Sequence, residues 1–188
     1  DQSLFTLSCI LAVLSLFGIY RSIRIGQPLF IQGMWRVLIM AFPLLWIAGA
    51  MEPSQWDAFS HWLPASKYLV AFDDLPTKVP PFSGPHMLPA YPYGWPYLMY
   101  LSSMIAGQFI ENVSSTLNIF LLLSFSAFAL RTAYRITQNK INDSISWPFA
   151  SAIVLLATIF NPTFVQKIVL TAYSDLSTSV LTGFSMLI

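Results

Sequence analysis

Leu117-Asn118-Ile119-Phe120-Leu121-Leu122-Leu123-Ser124-Phe125-Ser126-Ala127-Phe128-Ala129-Leu130-Arg131-Thr132-Ala133-Tyr134, followed by Arg135 and Lys140, is the stretch on which the fold turns. Its apolar run approaches the roughly 20 residues a helix needs to cross about 30 Å of hydrocarbon, and it ends in a basic cluster. Leu4 to Tyr20, Trp35 to Met51 and Trp147 to Phe160 read the same way, and a further apolar run starts at Leu176. Hydrophobic residues make up 56% of the chain and charged residues only 9%, against about a quarter charged in soluble domains. The expected class is an all-α membrane protein with multi-pass transmembrane helices. The first segment has basic residues after it and no obvious small-residue cleavage site, so it is expected to be a retained helix. A net charge of +1, with basic residues beside the apolar segments, makes no case for nucleic acid. The lone Cys9, inside the first span, implies neither a disulfide nor a metal site. The chain starts without methionine and stops inside an apolar run, so a larger polytopic protein, with its C-terminal remainder missing here, is expected.

Lysine and arginine set the expected topology. Arg21, Arg24 and Arg36 cluster between the first two spans, and Arg131, Arg135 and Lys140 follow the third. Loops enriched in this way face the cytoplasm, so both clusters are expected on one side. Residues 1–34 then form a first transmembrane helix with a basic loop, and residues 35–188 the N-terminal part of a transmembrane module. Its outer loop, about 51–96, holds nine of the thirteen prolines, both histidines and half of the acids. If Trp95 to Ile110 crossed the bilayer, Arg131, Arg135 and Lys140 would be stranded outside. That stretch is therefore expected to be a juxtamembrane or re-entrant helix, over about 95–110. Ser102, Ser103, Gly107 and Gln108 interrupt it, and Tyr91, Tyr93, Trp95, Tyr97 and Tyr100 suit an interfacial belt. Asn161-Pro162 loosens the chain after the fourth span, and Asp175 is expected at the same outer face as Asp57.

The outer loop opens with Trp56-Asp57-Ala58-Phe59-Ser60-His61-Trp62-Leu63-Pro64. Asp57 reads either as a reactive carboxylate or as part of a helix-start capping pattern, Ser54-Gln55-Trp56-Asp57. On a helix Asp57 and His61 share a face opposite Phe59, Trp62 and Leu63, and Pro64 is expected to kink or end that helix. Asp73-Asp74 before Leu75-Pro76 reads as a solvated turn more readily than as a metal pair. Tyr91, Tyr93, Trp95 and Tyr97 fit either sugar stacking or membrane anchoring, and Lys167 either phosphate binding or snorkelling. Asn112-Val113-Ser114 matches the glycosylation pattern but lies too close to the apolar run to weigh in the argument.

The order of these features resembles the polytopic glycosyltransferases of the GT-C fold, which use lipid-linked sugar donors. The resemblance covers residues 35 to 188. A span leads to an outer loop whose first helix carries an acid, Asp57; Tyr91-Pro92-Tyr93-Gly94-Trp95-Pro96 stands where the family has a Pro-rich turn into a juxtamembrane helix. A span with a basic end follows, then a returning span ending at Asn161-Pro162, and then Tyr173-Ser174-Asp175-Leu176. The resemblance implies that Asp57 is the general base deprotonating the acceptor, which is a glycan, lipid or protein. It makes His61, Lys67, His86, Lys167 and Tyr173 candidates for holding the donor phosphate, Tyr91 and Tyr93 for stacking on sugar, and Asp175 for the second acid of the site. Ala58 stands where some members have a second acid beside the first, so a divalent metal is not favoured as cofactor. The implied setting is a bacterial inner membrane with the 51–96 loop on the periplasmic side, and the implied partners are membrane lipid and a polyprenyl-phosphate sugar. Two other classes stay open: an accessory subunit of a larger membrane complex, and a transporter fragment with helices interrupted near Pro43 and Pro162.

Overall fold

Ala41 and Ala48 lie seven residues apart, as do Ala150 and Ala157, so each pair sits on one face of its helix and lets a neighbour approach closely. These alanines form the centre of the protein, seen in a computed structural model that describes residues 3–26, 31–53, 58–75, 93–138, 144–161 and 175–187. Among the described residues the regular structure is entirely helical. The elements are α1 (Ser3–Arg24), α2 (Met34–Ala50), a π-helical turn (Ala58–Trp62) leading into α3 (Leu63–Phe72), α4 (Gly94–Ala106), α5 (Val113–Gln138), α6 (Trp147–Ala157) and α7 (Asp175–Leu187).

Helices α2, α5 and α6 pack on one another, and α7 packs on α5. Val37, Ala41 and Ala48 of α2 meet Ile119, Leu123 and Ala127 of α5, Ala150, Ile153 and Ala157 of α6, and Val180 of α7. Polar contacts fix the directions. Ile145 N donates to Gln32 O at 2.8 Å, and Trp35 meets Trp147 edge to face at 5.4 Å, so α2 and α6 start side by side and run parallel. Asn112 Nδ2 donates to Gly49 O, joining the start of α5 to the end of α2, and Tyr134 near the end of α5 meets Phe149 at the start of α6. Helix α5 is therefore antiparallel to both.

That arrangement separates the charges. Arg36, Arg131 and Arg135 lie at one end of the bundle, which we call the basic end. Glu52 and Glu111 flank the opposite, acidic end, where α3 and α4 pack on each other and α4 packs on α5. Helix α1 touches this layer through α4: Phe5 N donates to Asp73 Oδ1 at 3.2 Å, and Ser8 and Tyr97 share a hydrogen bond between hydroxyls. The rest of α1 is open, with Val13, Leu14, Leu16 and Phe17 exposed.

Two helices are long and apolar enough to cross a membrane, Leu4–Arg24 within α1 and Val113–Thr137 within α5. The other two expected spans are shorter. Helix α2 has 17 residues and runs without a break through Pro43, where the transporter alternative would place an interruption. Helix α6 has 11 residues and stops at Ala157 rather than reaching Phe160. Thr158 leaves the helical region at φ −115°, ψ −87°, while its hydroxyl and its amide both reach back to Val154 O, closing the last turn. Helix α4 ends at Ala106, before the expected Ile110, because Gly107 takes a left-handed φ of 68°. Ser103 Oγ then accepts the Ile110 amide at 2.9 Å and pins the departing chain.

Pro64 does not end the helix that starts at Ala58. It occupies the first turn of α3, where a missing N–H costs little, and the turn before it widens to π geometry. A proline ring clashes with the carbonyl four residues back and offers it no donor; the wider turn relieves both problems at Ser60. The widening also carries Phe59 outward to the surface while Trp62 and Leu63 are buried, so these three do not share the single apolar face expected of them.

Candidate functional site

At the acidic end the π turn, α4, α5 and α7 enclose a cleft of about 340 Å³. Trp62 comes from the π turn, Trp95 and Leu98 from α4, Leu117 and Leu121 from α5, and Ser177, Thr178 and Leu181 from α7. Gly94, the first residue of α4, leaves one rim without a side chain. The lining is apolar apart from the two hydroxyls on α7 and the indoles of Trp62 and Trp95; the Trp95 Nε1–H is buried with no hydrogen-bond partner among the described residues. Leaving such a donor buried and unpaired costs about 1–3 kcal/mol.

Each wall has a local reason to stand where it does. Ser66 Oγ donates to Trp62 O at 2.8 Å and lies 3.2 Å from Met99 Sδ, tying the π turn and α3 to α4. Trp62, Leu63, Trp95 and Met99 form a buried cluster against which Leu117 and Leu121 of α5 pack. Helix α7 is held further along α5, where Phe125 and Phe128 contact Phe184 at ring distances of 5.3 and 5.5 Å. The cleft thus lies between α4 and α7, both of which pack on α5.

The sequence candidates distribute unevenly around this cleft. Asp57, His86, Tyr91, Lys167 and Tyr173 lie outside the described residues, and of Asp175 the structure gives the backbone, the first residue of α7. Even so, two walls connect directly to the named acids: the π turn begins at the residue after Asp57, and Ser177 and Thr178 follow closely on Asp175. His61 stands next to Trp62 in the π turn, half-buried, with Nδ1 hydrogen-bonded to Ser60 Oγ. Lys67 is exposed on α3, 3.7 Å from Glu111 and 5.3 Å from the Phe109 ring centre. An exposed pair of this kind contributes about 0–1 kcal/mol, so it yields readily to a stronger anion. Tyr93 precedes Gly94 at the rim; burial, and after it Tyr68, push its phenol above the usual range, so it offers a neutral hydroxyl and an aromatic face.

One polar centre had no warning in the sequence beyond a turn signal. Asp73 caps the end of α3 in a left-handed conformation, φ 52°, and its Oδ1 accepts from the Tyr100 hydroxyl and from Phe5 N–H. Tyr100 is fully buried, and burial followed by the bond to Asp73 drives its phenol far above 10.0. Asp73 therefore joins α1, α3 and α4, while Asp74 accepts the Leu75 amide at 2.8 Å in a local turn. No group of three or more His, Cys, Asp or Glu side chains suited to a metal ion occurs among the described residues. The glycosylation pattern at Asn112 is used internally: its side-chain amide binds Gly49 O, and Ser114 is buried.

Comparison of the chain with protein-family models, with curated proteins and with solved structures found no match.

Proposed function

We propose that this chain is the N-terminal part of a multi-pass membrane glycosyltransferase that moves a sugar from a lipid-linked, polyprenyl-phosphate donor to an acceptor at the outer face of the membrane. The observation that carries the reading is the cleft. It is apolar enough for a hydrocarbon chain, and two of its walls belong to elements that begin at Ala58, next in sequence to Asp57, and at Asp175; Asp57 and Asp175 are the acids the sequence singles out. A donor whose isoprenoid tail lay along Trp62, Leu98 and Leu121 would present its phosphate and sugar toward those chain segments.

In the proposed step the acceptor hydroxyl oxygen attacks the anomeric carbon of the sugar. The bond from that carbon to the phosphate oxygen breaks, its electron pair leaves with the phosphate, and the hydroxyl proton passes to the Asp57 carboxylate. General-base assistance of this kind contributes about 100- to 10,000-fold. Lys67 and His61 are described side chains close in sequence to the proposed base that can neutralise or hydrogen-bond the departing phosphate.

The membrane setting rests on α1. Its exposed Val13, Leu14, Leu16 and Phe17 each forgo about 1.5–3 kcal/mol if left in water, which favours a lipid surround. Collection of Arg36, Arg131 and Arg135 at one end supports a cytoplasmic basic end and an outer acidic end, in a bacterial inner membrane by the family resemblance. Helix α4, with 13 residues, spans about 20 Å, short of a full crossing and in keeping with a juxtamembrane position.

The test is transfer of labelled sugar from native lipid carriers by membranes containing the full-length protein, wild type against Asp57→Asn at matched expression. Transfer by wild type, with loss of at least about 100-fold in the mutant, is the expected result. Equal transfer by both removes Asp57 as the base, and absence of transfer by either across several carriers favours a non-catalytic subunit of a larger complex.

A further inference from the structure

The basic end carries a second, separate feature. Arg36 lies beside two indoles that meet edge to face, its guanidinium carbon 5.0 Å from the Trp35 ring centre and 5.9 Å from that of Trp147. Both tryptophans keep about half of their surface open, 52% and 47%. Arg36 Nη1 donates to the Ile145 carbonyl, which ties the guanidinium back to the chain entering α6, and Nε is buried with no hydrogen-bond partner among the described residues. Arg135 is exposed one residue after Tyr134, whose ring packs on Phe149 two residues beyond Trp147, and Arg131 lies one turn earlier on α5.

We propose that Arg36, Trp35 and Trp147, supported by Arg131 and Arg135, form a binding site for the phosphate of an anionic phospholipid in the membrane leaflet on the basic side. Open indoles prefer the level of lipid headgroups, so the pair sets the depth of the bundle and brings the guanidinium to the height of the phosphates. A guanidinium packed beside two rings and tied back through one N–H presents its remaining N–H groups as a fork, the geometry that matches two phosphate oxygens. Aromatic walls lower the local dielectric and strengthen that contact, and Arg135 supplies further attraction to an anionic surface. Open apolar rings beside the cation suit a lipid, whose acyl chains continue along the apolar outer faces of α2 and α6, better than a soluble phosphate. The site lies at the opposite end from the cleft and rests on the membrane reading, but not on sugar transfer.

The experiment is native mass spectrometry of the full-length protein in detergent, with phosphatidylglycerol and phosphatidylcholine of identical acyl chains. Wild type is expected to retain phosphatidylglycerol preferentially. Arg36→Gln is expected to weaken that retention about fivefold, the weight of one basic residue at an anionic surface, and to weaken that of phosphatidylcholine, whose phosphate is neutralised by its own choline, by less. Since Arg36 is partly buried, Trp147→Leu, at an exposed position, is the second variant; it is expected to reduce the same preference with an unchanged thermal midpoint. Equal retention of the two lipids by wild type, or a preference that survives in both variants, overturns the proposal. Displacement of phosphatidylglycerol by inorganic phosphate alone would assign the site to a soluble anion and overturn the lipid. Alkaline carbonate extraction of native membranes reads the membrane setting by itself: release of the protein defeats that setting, whereas retention in the membrane without lipid preference defeats only the site.

Discussion

Gly33 is where the parallel alignment of α2 and α6 can be broken by one methyl group. It caps α2 with φ 87°, and a Cβ there would lie 2.7 Å from the carbonyl oxygen and 2.8 Å from the nitrogen of Ile145. Both are backbone atoms and cannot turn aside. A non-glycine residue in the left-handed region costs about 1–2 kcal/mol. Separating the two chains also breaks the Ile145 N to Gln32 O hydrogen bond at 2.8 Å, a net loss of about 1 kcal/mol, and strains the contact of Arg36 with Ile145 O. Gly33→Ala is therefore expected to cost about 2–4 kcal/mol in all. At about 2–4 °C per kcal/mol for a chain of this size, the midpoint falls by about 5–15 °C. The assay is thermal unfolding of purified full-length protein in detergent, followed by tryptophan fluorescence, since Trp35 and Trp147 flank the junction. Gly183→Ala is the control. Its Cβ would lie 2.8 Å from Phe125, but against the far edge of a ring that can swing, and in a helix where alanine gains about 1 kcal/mol over glycine. A Gly33→Ala midpoint within about 1 °C of wild type, or a larger drop for Gly183→Ala, would refute the reasoning.

Tyr100→Phe removes a hydroxyl donor from Asp73 and is expected to destabilise the acidic-end layer by about 1–3 kcal/mol, read as a lower unfolding midpoint. Because burial and Asp73 raise the Tyr100 phenol above 10.0, its stabilising term is fully present below that pH. It is lost as pH climbs past that value, where the unfolded chain ionises and the folded one does not. Wild type should thus lose more stability than Tyr100→Phe in this alkaline range, and parallel losses would count against the assignment. Leu181→Trp, which fills the cleft from α7, is expected to raise KM for a lipid-linked donor more than it lowers kcat; an unchanged KM would remove the cleft as the tail site. Cysteines placed at Glu52 and at Thr137 in a Cys9→Ser background are expected to react with an impermeant maleimide from opposite sides of the membrane, and labelling from one side would overturn the proposed topology.

Apolar runs announced α2 and α5 nearly to their ends, and the arginines announced which ends of those helices lie together. What stayed hidden has a physical pattern. Helices that are apolar all round show little contrast between their packed and open faces, so hydropathy does not reveal which side of α5 takes α6 and which takes α7. The information lies instead in side-chain size: Ala41, Ala48, Ala150 and Ala157 mark the close face, a signal of packing rather than of polarity. Helix ends depart from the apolar pattern where a local hydrogen bond decides, as at Thr158, and the chain passes Pro64 by widening a turn instead of ending the helix. The cleft was illegible for another reason. Its walls come from four elements, and Trp62 and Trp95 look in sequence like any interfacial aromatics. Asp73 shows the limit most clearly, because its partners Tyr100 and Phe5 are 27 and 68 residues away. A carboxylate that reads locally as a solvated turn becomes the joint of three helices only when an earlier helix and a later one both meet it. Tests of this fold are therefore best aimed at such long-range contacts, where local propensity and tertiary structure make opposite predictions.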